Sequence, residues 1–119
     1  MRKIISFVCL SIALAAPQLA QAHAMLDRAR PAVGSTAATP PKEVVLWFTE
    51  KLEPAFSTIE VRGPNGAVVS AGKAQVGGDR TQLRVGLKHL APGTYKVEWH
   101  VLSVDTHRTQ GSFSFRVGP

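Results

Sequence analysis

His23 and the pair Asp105 and His107 are the residues of this chain whose types and spacing carry the most chemistry. His23 follows Ala20-Gln21-Ala22, a small-x-small pattern of the kind at which export signals are cut. A cut after Ala22 turns the backbone nitrogen of His23 into a free α-amine beside its own imidazole, and the two can close a chelate ring on one metal ion. Both are borderline nitrogen ligands suited to Cu(II), which favours a tetragonal N,O set and heads the divalent affinity order. An α-amine titrates at roughly 7.7–8.0, so the metal must displace a proton and binding strengthens with pH. In Asp105-Thr106-His107 the carboxylate and the imidazole stand two residues apart. In extended chain that is about 6.6 Å on one side of the backbone, close enough to converge on one ion. Taken alone, an Asp-x-His more often has its carboxylate capping its own turn, and the metal reading gains weight beside an N-terminal His.

The elements that must position these groups read as strands. Val44-Val45-Leu46-Trp47-Phe48 is a short β-rich run after Pro40-Pro41. Residues 57–61 alternate, and Gly63-Pro64-Asn65-Gly66 predicts a tight turn into a second strand over 67–70. Gly77-Gly78-Asp79 turns the chain again before Leu83, Val85 and Leu87. Tyr95, Val97, Trp99 and Val101 form one face of the strongest strand, with Lys96, Glu98 and His100 on the other. The last strand places Phe113, Phe115 and Val117 inward. With a strand near 25–29 this makes about seven, the pattern of an antiparallel immunoglobulin-like β-sandwich; a small closed barrel has the same spacing. Trp47, Trp99, Phe113 and Phe115 are expected in the core, and so is Met25. His89 and His100 are expected in solvent and away from metal. The Asp105–His107 loop joins the last two strands.

Arg2-Lys3 followed by the thirteen-residue run Ile4–Ala16 has the form of an export signal. The run is shorter than the roughly 20 apolar residues of a membrane span. Removing residues 1–22 from 119, with two of the 14 bases, leaves 97 residues carrying 12 bases against 8 acids, a net +4. That is one small domain, 23–119, too short for a doubly wound nucleotide-binding fold or a barrel of repeated βα units. The single cysteine, Cys9, falls in the signal. The exported domain is therefore expected to lack disulfides and thiolate metal sites. Its bases are scattered, which gives no case for nucleic acid.

Several segments resemble the CopC/YobA family of periplasmic copper-resistance proteins over nearly the whole exported chain. They are His23-Ala24 after the signal, Arg30-Pro31-Ala32-Val33-Gly34-Ser35, Trp47-Phe48-Thr49-Glu50, and Leu52-Glu53-Pro54-Ala55-Phe56-Ser57. The most specific stretch runs from Gly93-Thr94-Tyr95 through Trp99-His100-Val101-Leu102-Ser103-Val104-Asp105-Thr106-His107 to Gly111-Ser112-Phe113-Ser114-Phe115. The resemblance implies a cupredoxin-like or immunoglobulin-like Greek-key sandwich that holds one Cu(II) ion per chain in the periplasm. It also implies an inner-membrane CopD-like copper-transport partner. The implied ligands are the amine and imidazole of His23, the carboxylate of Asp105 and the imidazole of His107. Glu50 matches an acidic position near that site, as a weak ligand or neighbour of the metal, with an exposed strand-end carboxylate as the equal alternative. Many relatives begin His-x-His where this chain has His23-Ala24-Met25, and the Met-rich Cu(I) site of some members has no counterpart here. The resemblance thus points to copper sequestration or delivery, not enzymatic work. The alternative is a redox enzyme, since an N-terminal His with a second His also resembles the copper brace of lytic polysaccharide mono-oxygenases.

Overall fold

A computed structural model describes residues 23–119; the expected signal, with Cys9, lies outside the described residues. Eight strands run in chain order: β1 Leu26–Arg30, β2 Thr36–Ala37, β3 Glu43–Phe48, β4 Thr58–Arg62, β5 Ser70–Gly77, β6 Gln82–Leu87, β7 Gly93–Leu102 and β8 Arg108–Val117. They form two four-stranded sheets, ordered β1-β3-β6-β5 and β2-β8-β7-β4. The β-sandwich expected from the alternation is therefore present. Two strands go beyond the expected set: β5, and the two-residue β2, which pairs parallel with β8 and makes one sheet mixed. So short an edge strand carries no periodicity to read.

The Gly63–Gly66 turn forms as expected, with the Gly66 amide bonded to the Gly63 carbonyl at 2.9 Å. The strand expected over 67–70 is a correction. Residues 67–69 form no strand; an isolated Arg62–Val68 bridge and single bonds such as Gly63 N–H to the Ala67 carbonyl and Val69 N–H to the Val61 carbonyl follow the turn. The chain then crosses to the other sheet, where β5 pairs with β6 from Ser70 onward. Both hairpin partners of the turn would otherwise sit in one sheet and leave β6 without its outer neighbour.

Period-two alternation fixes the core. Val44, Leu46 and Phe48 of β3 meet Val97, Trp99, Val101, Phe113 and Phe115 of β7 and β8 in one cluster. Phe48 and Trp99 pack edge to face across the sheets, centroids 5.1 Å apart. Opposite Trp99 on β8 is Gly111, where a Cβ would lie 2.5 Å from the indole Cζ2. Glycine is required there because the buried ring fills the space. Gly111→Ala should accordingly destabilise the domain by about 1–3 kcal/mol through overpacking. A urea titration with an unshifted midpoint would contradict this.

Two core expectations are overturned. Trp47 points to the outer face of its sheet, because β3 sends residues 44, 46 and 48 inward; it is half-buried under Arg28, whose guanidinium carbon lies 4.0 Å from the ring centroid. Met25 is 60 % exposed: it precedes β1, and its neighbours Ala24 and Leu26 supply the apolar contact instead.

Candidate metal centre

The β7–β8 hairpin decides where the Asp-x-His motif sits. Its ladder of ten residue pairs ends at Leu102–Arg108, leaving residues 103–107 as a closed loop at one end of the sandwich. Ser103, 0 % exposed, organises that loop. Its amide donates to the His107 carbonyl at 3.0 Å, and its hydroxyl receives the His107 amide at 3.3 Å. The same hydroxyl donates to Asp105 Oδ1. Thr106, at the tip, takes a positive φ of 73°, an unusual conformation for a β-branched residue. The turn is held by its amide bond to the Ser103 carbonyl at 2.9 Å.

His23 reaches the same end through two threonine clamps, one from each sheet. After β3, the Thr49 hydroxyl accepts from the Met25 amide at 3.0 Å and donates to the His23 carbonyl at 3.4 Å. The Thr49 amide donates to the Met25 carbonyl at 3.0 Å. From β8, the Thr109 hydroxyl donates to the Ala24 carbonyl at 2.7 Å, and Ala24 between them is fully buried. Held this way, the His23 ring meets the His107 ring edge to face, centroids 4.7 Å apart, with the His23 Nδ1 buried.

Asp105 completes the group. Its Oδ2 lies 3.4 Å from His107 Nδ1, and the Ser103 hydroxyl holds its carboxyl below the usual carboxylate range, with His107 adding to the effect and desolvation opposing it. The carboxylate is thus ionised at neutral pH beside the His107 imidazole. Among the described residues no three His, Cys, Asp or Glu side chains form a ready metal cage. Asp105 is engaged by Ser103 and His107, and in the 119-residue chain the His23 nitrogen is still an amide. Glu50 follows the Thr49 clamp and is half-buried, but no ion pair or hydrogen bond joins it to Asp105 or His107. His89 and His100 are exposed, as expected.

Sequence reasoning passed over Ser103, Thr49 and Thr109. Thr109 carried a signal: it occupies an inward position of β8 in register with Gly111 and Phe113, where an apolar residue belongs.

A β-sandwich with two imidazoles and a carboxylate gathered at one end belongs to the class of small domains suited to handling a divalent metal with nitrogen and oxygen ligands. The comparisons narrow the class. The chain belongs to the CopC domain family, whose model matches residues 26–118, and it is thereby a member of a copper-resistance family. It is 39% identical over 98 residues to Protein YobA of Escherichia coli (strain K12), covering 81% of this chain and 79% of that protein. Over 120 residues it is 36% identical to Copper resistance protein C of Pseudomonas syringae pv. tomato, covering 94% of each. The crystal structure of CopC from Methylosinus trichosporium OB3b superposes with a TM-score of 0.76 at 35% identity, covering 82% of this chain and 95% of that one.

Proposed function

We propose that the chain is exported to the periplasm, cut after Ala22, and there binds one Cu(II) ion to sequester it or deliver it onward. The ligands in this reading are the new α-amine and imidazole of His23, the imidazole of His107 and the carboxylate of Asp105. Glu50 enters this reading as a weak ligand or neighbour of the metal, on the family resemblance alone. The observation that carries it is the approach of His23 to His107, centroids 4.7 Å apart, across 84 residues of chain. The Thr49 and Thr109 hydrogen bonds support that approach, together with the burial of Ala24. Copper is cargo, and a CopD-like membrane transporter is the recipient that the family resemblance favours. The ionised Asp105 adds negative charge beside the ion, which favours holding Cu(II) over cycling it through Cu(I) and so disfavours the mono-oxygenase reading.

Chelator competition on the chain beginning at His23 tests this, with one Cu(II) bound per chain as the expected result. The pH dependence separates the donors. Because the folded carboxyl of Asp105 titrates below the ordinary value, it stays charged as pH falls through the mildly acidic range, and proton competition there acts on the nitrogens. Asp105→Asn should therefore weaken binding by a similar factor at about pH 5.5 and about pH 7.5. No loss at either pH would remove Asp105 from the set, a loss confined to the higher pH would contradict the lowered titration of its carboxyl, and no bound copper at either pH would end the proposal.

A further inference from the structure

The outer face of the sheet β1-β3-β6-β5 carries charge that the fold itself does not use. Arg30, Val45 and Arg84 lie in one row across β1, β3 and β6, with Arg28, Trp47 and Gln82 in the next. Val45 points outward and is nevertheless only 1 % exposed, and Trp47 is half-buried, with Arg28 and Arg30 at 4.0 and 5.6 Å from its ring centroid. Arg28 and Arg30 lie over Trp47 and are themselves exposed. Arg84 leans the other way, over Gly77 of β5, where an added Cβ would stand 3.7 Å from its Nε; its Nη2 donates to Gln82 Oε1 at 3.2 Å. The carboxylates on these strands are Asp27, at the β1 bulge, and Glu43, at the start of β3. Neither pairs with Arg28, Arg30 or Arg84, whereas on the opposite outer face Arg62 pairs with Glu60 and Lys96 with Glu98.

We propose that this face docks the protein on an anionic phospholipid surface. Three guanidinium forks without carboxylate partners match phosphate oxygens in pairs. Trp47, half-buried beneath Arg28 and Arg30, gives their guanidinium groups a ring to lie against on this face. The groups are spread over three strands of an open sheet, which fits an extended charged surface better than a small anion. The proposal uses none of the His23, Asp105 and His107 side chains and stands whether or not copper binds there.

Flotation of the chain beginning at His23 with vesicles of phosphatidylcholine and phosphatidylglycerol (about 3:1), at low salt, tests it. Binding is expected to the mixed vesicles and not to pure phosphatidylcholine, and to fall as salt is raised. Arg28→Gln with Arg30→Gln should reduce partition about tenfold or more. Arg62→Gln with Lys96→Gln removes the same charge from the other face and should reduce it far less. Arg84→Gln, which leaves Trp47 covered, gives a smaller loss and guards against misfolding of the double variant. Equal losses from the two double variants would mean that net charge alone acts, and would overturn the docking face. So would absence of binding to the mixed vesicles, including the case in which the chain binds a soluble polyanion such as heparin instead.

Discussion

One alanine inserted ahead of His23 in the exported chain should weaken Cu(II) binding by more than about 100-fold while leaving the fold intact. The inserted residue turns the α-amine back into an amide, which does not give up its proton readily to a metal at neutral pH. It also opens the chelate ring, so the ion loses one donor and the pre-positioning of the other. Changes to groups that merely orient a ligand cost about 10–100-fold in affinity, and loss of a ligand itself should exceed that. The insertion lies outside the Thr49 and Thr109 clamps, which hold the His23 and Ala24 carbonyls and the Met25 backbone. Thermal unfolding should therefore be unchanged. Chelator competition measures the affinity, and an unaltered value would mean that the amine is not a ligand.

Ser103→Val is expected to have the second largest effect, and on two readouts. The hydroxyl is buried and serves Asp105, the His107 amide and the His107 carbonyl together. Valine is close in shape but leaves the His107 amide without its hydroxyl acceptor and releases the Asp105 carboxylate. The cost in stability is about 1–3 kcal/mol, that of a lost buried hydrogen-bonding group. Copper affinity should fall about 10–100-fold, because Asp105 and His107 are no longer fixed relative to His23. The carboxyl should also return toward its ordinary titration range, since the Ser103 hydroxyl is the main cause of its lowering. A urea titration and a copper competition, read together, check this. Full affinity in a destabilised variant would make Ser103 a residue of the fold only.

Much of this was legible in the sequence where alternation is strict. Residues 95–101 and 113–117 declare their faces because polar and apolar residues alternate without exception, and the hairpin they form places the Asp105–His107 loop. Where β3 reads Val44-Val45-Leu46-Trp47-Phe48, no polar residue marks the outer face, so Trp47 passed for core. Its true setting depends on Arg28 and Arg30, whose approach is a matter of strand pairing and not of local sequence. The apolar character of Met25 at a strand start says nothing about the bulge that follows between Leu26 and Arg28. The site itself was half legible. His23, Asp105 and His107 stand out by type, but their meeting depends on Thr49 and Thr109, ordinary hydroxyls that become anchors only when two sheets close around Ala24. Glu50 was singled out by its motif, while it is Thr49, one residue earlier, that touches the N-terminal segment.

The central claim is that processing at Ala22 makes His23 a bidentate ligand alongside His107. The Cu(II) electron-spin-resonance spectrum of the chain beginning at His23, set against that of the alanine-extended chain, tests it most directly. The account predicts nitrogen couplings from the amine and both imidazoles in the first, and the loss of the amine nitrogen with an altered copper splitting in the second. Superimposable spectra from the two chains would contradict it.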